Sequence, residues 1–467
     1  MKRAMTLALC LTASMLITGC GQSAGTGDQN AEPEASEAAE NTGTGSAKSG
    51  KRTKEDFDSV NILKFTLSDL GKTTYSGSGQ EVEMASAYWL ITNTGEHSID
   101  ACTYTEYVVK TDGSNTESTG GRLWHPLIPG VAEESKTNSN MGKEVVPYSD
   151  VKSIEIEHYT YVLDGREYRV NLQEKRASSV ASKDWQAEDF NQANILDVST
   201  GDLSYITGQD DDPEDDYVDA PFTFVNNGKD AVNDIHPYSY FTDQSDEYVL
   251  TAPVNDYYFN LTPGASLKEY AASNVNEFYK IANDDVKDFG IAGYQYTSGD
   301  RLYQVYLKDQ TASSREIDNV LPYDETKDIL KDILNVEPPV VTPAPSEEEL
   351  KQTFGEDIPA EYLEDKVSIT ASLSSNPDPM PEKNITLFAT LLDKDGNYLR
   401  SLAFPLTSQG GTYSGVCNES SADGVLKNAA VCKVDHYKYY VADPSSDSNG
   451  CRSYTVYPEA KRLIGEQ

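Results

Sequence analysis

DVKSIEIEHYTYVLDGREYRVNL, residues 150–172, returns as DVKDFGIAGYQYTSGDRLYQVYL, residues 285–307. Ten of the 23 positions are identical, where unrelated stretches of ordinary composition would share roughly one or two. Each copy reads as a hairpin. Tyr159 to Leu163 leads through Asp164-Gly165 into Tyr168 to Leu172. Tyr294 to Thr297 leads through Ser298-Gly299 into Tyr303 to Leu307. Aromatic and β-branched runs around a two-residue turn are strand signals.

Working outward, the match continues. Asp56-Phe57, Asn61-Ile62-Leu63 and Asp69-Leu70 recur as Asp189-Phe190, Asn194-Ile195-Leu196 and Asp202-Leu203, seven of 15 positions at an offset of 133. Asn93-Thr94-Gly95 answers to Asn226-Asn227-Gly228, and Pro129-Gly130 to Pro263-Gly264. The offset drifts from 133 to 135 over more than a hundred residues. One whole domain has therefore been duplicated, as residues 56–175 and 189–309. A divergent third copy is expected at 367–460. There Val434-Asp435-His436-Tyr437-Lys438-Tyr439 matches Ile156-Glu157-His158-Tyr159-Thr160-Tyr161, and Lys394-Asp395-Gly396 matches Thr111-Asp112-Gly113.

Several short strands with turn signals in about 115 residues predict a β-sandwich. Thirty tyrosines suit pleated sheets. The arrangement resembles the immunoglobulin-like domains of unknown function common in Gram-positive surface lipoproteins. The expected fold is thus mainly β: tandem immunoglobulin-like β-sandwiches with a short helical linker segment. That linker is placed at 310–366. Asp324 caps a helix to about Asn335, Pro338 to Pro345 forms a stiff extended run, and Ser346 with Glu349 opens a second helix as a capping box.

The start of the chain carries a different message. Lys2 and Arg3 precede an apolar run from Ala4 to Ile17, too short to remain as a membrane span. Leu16-Ile17-Thr18-Gly19-Cys20 resembles the lipobox of bacterial lipoprotein signal peptides. The resemblance implies that residues 1–19 are a signal peptide, that cleavage follows Gly19, and that Cys20 carries diacylglycerol and palmitate. It places the protein on the extracytoplasmic face of the cell membrane. Residues 20–55, rich in Gly, Ser, Ala, Glu and Thr, bury too little to fold and read as a disordered tether.

The formal charge of −38 excludes a nucleic-acid role, since phosphate backbones repel such a chain. Cys102, Cys417, Cys432 and Cys451 are too few for a disulfide-built scaffold. A Cys417–Cys432 bridge is the preferred pairing, with Cys432–Cys451 the second choice and free thiols the alternative.

Chemistry is thinly signalled. Gly21-Gln22-Ser23-Ala24-Gly25 has the form of a nucleophile elbow but lacks the strand and helix that would strain it. His97, His125, His158, His236 and His436 show no metal-ligand spacing. The acidic run Asp210–Asp216 leaves calcium open, though it has neither the glycine nor the spacing of an EF-hand loop. No other cofactor is expected. Tyr159 and Tyr161, Tyr294 and Tyr296, and Tyr437 and Tyr439 form the one aromatic feature common to all three copies. Alternate strand residues share a side, so each pair either packs in its sheet or offers a binding face. The expected function is a lipid-anchored, non-enzymatic surface protein binding a protein or glycan partner. The alternatives are an enzyme or accessory module acting on extracellular polymer, and a calcium-stiffened spacer.

Overall fold

A computed structural model describes residues 52–466, apart from 78–79, 118–119, 124–125, 139–145, 207–216, 245–248, 253–259, 274–284, 355–363, 410–411, 422–423 and 443–450. Cys20, expected to carry lipid, the Gly21–Gly25 motif, residues 20–51 of the expected tether, His125 and the Asp210–Asp216 run lie outside the described residues; Thr53–Glu55, expected to end the tether, is instead an edge strand of module one. Among the described residues no helix is long and apolar enough to cross a membrane.

The chain is mainly β and builds its layers three times. Each module has a front run of five antiparallel strands in one order, set within larger sheets of seven, nine and ten strands. In module one the strands run Thr53–Glu55, Arg176–Ala181, Arg166–Asn171, Val151–Leu163 and Ala101–Lys110. In module two they run Gln186–Glu188, Thr311–Glu316, Arg301–Tyr306, Val286–Ser298 and Asn233–Asp243. In module three they run Val320–Leu321, Arg462–Glu466, Cys451–Tyr457, Val431–Ala442 and Ile385–Leu392. A back sheet faces each one, led by Gln80–Asn93, Tyr217–Asn226 and Asp365–Leu373. Three separate apolar cores fill the spaces between.

The repeated tyrosines fasten the two layers. Asp56 caps a single helical turn, Phe57–Val60, by accepting the Ser59 N–H. Asn61 ends that turn, and its Oδ1 accepts a 2.9 Å hydrogen bond from the Tyr159 hydroxyl. The same hydroxyl accepts the Leu63 N–H at 3.3 Å, and the Tyr161 hydroxyl donates to the Val60 carbonyl at 3.0 Å. Module two repeats every contact. Asp189 caps Phe190–Ala193, Tyr294 bridges Asn194 Oδ1 (2.8 Å) and Leu196 N–H (3.0 Å), and Tyr296 donates to Ala193 O (3.0 Å). In module three Asp324 caps Glu325–Lys327. Tyr437 bridges Asp328 Oδ1 (2.7 Å) and Leu330 N–H (3.2 Å), and Tyr439 donates to Lys327 O (2.8 Å). A short helix leaves orphan N–H and C=O groups at both ends, and a buried phenol satisfies several at once.

This contact relocates the start of module three. Asp324 does not launch a helix to Asn335; one 3₁₀ turn follows it, then Leu334–Val336 and Val340–Thr342 pair with the back strand Asp365–Leu373. Asp328 and Leu330 must meet buried tyrosines, and an exposed helix could not deliver them. The stiff proline-rich run is stitched to module three as an edge, where proline is tolerated. Among the described residues of this segment the α-helix is Glu347–Phe354, opened by the Ser346–Glu349 box. The segment expected to be a linker, 310–366, instead supplies a front strand of module two, Thr311–Glu316, and the beginning of the third sandwich.

The Asn-x-Gly repeat has an equally local cause. Asn93 is fully buried; its amide donates to His97 O and Leu127 O while its Oδ1 accepts from Gly95 N–H. Asn226 does the same with Asp230 O, Leu261 O and Gly228 N–H. A Cβ on Gly95 or Gly228 would lie about 3.1 or 3.0 Å from that Oδ1, tighter than ordinary contact, which favours glycine in the turn. Module three places Leu373 at this point, as the matching bonds Thr94 N–H to Ile62 O, Asn227 N–H to Ile195 O and Ser374 N–H to Ile333 O establish. Leucine cannot bridge the loops, which is why the third copy looks so divergent.

Tyr294→Phe is expected to destabilise module two by about 1–3 kcal/mol, because Leu196 N–H and Asn194 Oδ1 lose their buried partner. Urea unfolding checks it. An unchanged midpoint would show that the hydroxyl bridge is not holding the layers.

Candidate functional site

The paired tyrosines are not a binding face. Tyr159, Tyr161, Tyr294, Tyr296, Tyr437 and Tyr439 are all at most 3% exposed. Their rings line the cores: Tyr161 stacks on Tyr168 and Tyr296 on Tyr303, each at 5.0 Å. Burial raises all six hydroxyls well above the ordinary tyrosine range, so they remain neutral donors. The alternation was read correctly, but it turns inward.

No disulfide joins Cys417 to Cys432 or Cys432 to Cys451. Cys417 lies on the back-sheet strand Thr412–Ser421 and Cys432 on the front-sheet strand Val431–Ala442. Packed sheets stand about 10 Å apart, beyond the roughly 7 Å limit between bridged Cα atoms. Burial, then the Asp435 charge, pushes the Cys432 thiol up to about 12, leaving it protonated and inert.

The other side of each front sheet is where the modules differ. In module two that outer face is covered by module one. Ile128 and Val131 pack on Tyr238, Ala292 and Tyr306. Asp100, 5% exposed, accepts hydrogen bonds from the Tyr306 hydroxyl (2.8 Å) and the Ser313 hydroxyl. Lys308 donates to Pro129 O at 2.9 Å. In module three the outer face is covered by module two. The Arg462 guanidinium, 3% exposed at its side chain, pairs with Asp234 at 2.8 Å and donates to Thr297 Oγ1 at 2.9 Å while lying over the Tyr457 ring. Asp435 there accepts from Asn260 N–H at 3.2 Å and from Thr390 at 2.6 Å. His436 lies between Phe388 and Tyr457; burial and Arg462 push its pKa down to about 3, so it is a neutral ring in a stack.

The two seams use one address. Tyr306 opposes Thr311 in the module-two hairpin, and Tyr457 opposes Arg462 in module three. In both hairpins these positions meet the preceding module. The matching pair in module one is Asn171 opposite Arg176. Nothing among the described residues covers it. Instead an open cleft of about 1050 Å³ lies here, its charged lining made of Arg52, Lys54, Arg169, Lys175 and Arg176 against Glu55, Asp56 and Glu174. Lys54, Ser178 and Arg169 form one cross-strand row. Arg169 also reaches His158 Nε2 at 3.3 Å, which Thr105 Oγ1 meets at 3.2 Å. Arg52 pairs with Glu167, and Arg176 with the exposed Glu174 at 3.3 Å. This cationic surface is the candidate functional site of an otherwise acidic chain. Its basic residues are visible in the sequence at 52, 54, 169, 175 and 176, but only strand pairing gathers them.

Among the described residues no group of three or more His, Cys, Asp or Glu side chains is placed to hold a metal. Asp393-Lys394-Asp395-Gly396-Asn397 is a hairpin turn, with Asp393 accepting the N–H groups of Asp395 and Asn397.

No family model matches the chain, and no curated protein does. Among solved structures, the Amycolatopsis orientalis exo-chitosanase CsxA, in its own crystal structure and in complex with PNP-β-D-glucosamine, aligns over 53% of this chain at 13% identity and TM-score 0.15. CsxA described as an exo-β-D-glucosaminidase, with a glucosamine-configured castanospermine, aligns equally at 13% identity. The chain spans 26% of that enzyme's length. A likeness this slight bears on neither activity nor substrate.

The first seam should respond to pH. Burial raises Asp100 from 3.8 to about 7. The docked state therefore resists its ionisation: stability from this group is complete below about 3.8 and lost as pH rises to about 7. Asp100→Asn keeps an acceptor for Tyr306 and Ser313 without the charge. The variant should melt with the wild type near pH 4 and several degrees above it at pH 8. Equal melting temperatures at pH 8 would contradict the seam as described.

Proposed function

We infer that this protein is a non-enzymatic surface protein, held to the membrane by lipid on Cys20, whose sandwiches present a binding surface away from the bilayer. One observation carries the reading. What the three modules share is used inside the fold, while the surface that differs most is the outer face of module one around Asn171 and Arg176, open among the described residues although its far end packs on Leu302 and Trp185. The bridging tyrosines, the capped turns and the edge clasp all serve packing. In that clasp Ser179 and Arg166 meet Glu55, and Ser314 and Arg301 meet Glu188.

The apolar run ending in Leu16-Ile17-Thr18-Gly19-Cys20 supports the anchor. One acyl chain holds a protein marginally and two hold it stably, so a doubly acylated thiol would retain the chain. Buried seams make the three sandwiches a stacked array, in which each module contacts its neighbours. Such an array suits display of a site; its ligand is a protein or a glycan.

Metabolic labelling with palmitate tests the anchor. Wild type should incorporate label and partition with membranes, and Cys20→Ser should do neither. Label-free wild type in the soluble fraction would overturn the reading.

A further inference from the structure

We propose that the outer face of module one's front sheet is a docking surface for a carboxylate-bearing protein partner, seated as module two seats on module three. The inference deepens the binding reading above and rests on it for its biological sense. Its basis is the correspondence between three copies of one surface. On module three, Arg462 stands opposite Tyr457 in the final hairpin and takes the Asp234 carboxylate of the preceding module at 2.8 Å. On module two, Tyr306 stands opposite Thr311 and donates to the Asp100 carboxylate of the preceding module at 2.8 Å. At both seams an acidic group of one domain therefore sits on the outer face of the next.

Module one carries Arg176 at the position of Arg462, opposite Asn171. His158 stands one residue before the bridging Tyr159, as His436 does before Tyr437. No module precedes it among the described residues, and Arg169 and Arg176 are exposed. Where the covered faces of modules two and three carry Tyr306 and Tyr457, this one carries Asn171. It has exchanged aromatic burial for charge. Lys54, Arg169 and Lys175 join Arg176 around the cleft, and among the described residues Lys54 and Lys175 have no ion-pair partner. With five basic groups against Glu55, Asp56 and Glu174 the cleft lining is net cationic in a chain of net charge −38, and acids farther off are screened within about 8 Å at physiological salt. Guanidinium groups prefer planar carboxylates bound through paired N–H donors. A second copy of this chain is a poorer occupant. The matching edge of its module three offers Glu382, whose N–H bonds Tyr440 O as Asp100 N–H bonds Val162 O, but Lys383 stands beside it. That lysine would meet the basic face.

The probe is a fluorescent deca-glutamate peptide added to the full-length chain, read by anisotropy at low and physiological salt. Binding should be measurable at low salt and weaken as salt rises. Combining Lys54→Gln, Arg169→Gln and Arg176→Gln should reduce it at least about tenfold, with the melting temperature unchanged. Lys394→Gln, an exposed cation on module three, should leave it unchanged. The proposal is overturned if deca-glutamate does not bind or if Lys394→Gln weakens it equally. It is also overturned if inorganic polyphosphate binds at the face while the peptide does not, or if sedimentation shows self-association that Arg176→Gln and Glu382→Gln each abolish. A palmitate-labelled chain that ignores deca-glutamate fails this proposal and leaves the anchor standing. A chain without palmitate that binds the peptide does the reverse.

Discussion

A buried phenol that satisfies the end of a one-turn helix organises each module. Helical turns of three or four residues are not stable alone, because nucleation is unfavourable and both ends leave backbone groups unpaired. Tyr159, Tyr294 and Tyr437 resolve this from the opposite layer, each accepting one backbone N–H and donating to the side chain that closes the turn. The neighbouring tyrosine, two residues on, takes a carbonyl of the same turn. The first strand pair and the central strand are thereby locked in register. Drift in the intervening loops is tolerated, because the fixed points sit about a hundred residues apart and are joined by chemistry rather than by length.

Stacking the modules raises a second requirement. Each seam buries a carboxylate, and a charge taken from water needs partners. Asp100 is answered by two hydroxyls, Asp234 by a guanidinium and a hydroxyl, Asp435 by a hydroxyl and a backbone N–H. Burial pushes Asp100 and Asp435 up to about 7, because hydroxyl and amide donors offset only part of the desolvation. Each seam places an acid from the leading edge of one module, Asp100 or Asp234, on donors of the next, while Asp309, Asp435 and Glu459 of the later modules accept from Ser98 and Asn260 in the opposite sense.

Much of the architecture was legible in the sequence, and what was hidden has physical reasons. The duplication, its turns and the strand content follow from repeated glycines, asparagines and aromatic runs whose roles are local. The orientation of the Tyr-x-Tyr pairs was not, because period two states that both residues share a side without stating which. The start of module three was masked twice over. Asp328 substitutes for Asn61 and Asn194 as acceptor, and Leu373 replaces the loop-bridging Asn93 and Asn226. The seams were beyond reach of any local pattern. Asp100 and Tyr306 are 206 residues apart, and Asp234 and Arg462 are 228 apart. The cationic face is likewise assembled from three strands that no window of sequence shows together.

The stacked seam is tested most directly by a double-mutant cycle across the second junction, with Asp234→Asn and Arg462→Met made singly and together and followed by urea unfolding. A buried, hydrogen-bonded pair predicts a coupling energy above about 1 kcal/mol, with the double variant far less damaged than the sum of the singles. Strict additivity would mean that the two groups do not meet, and the three sandwiches would then be beads rather than a stacked array.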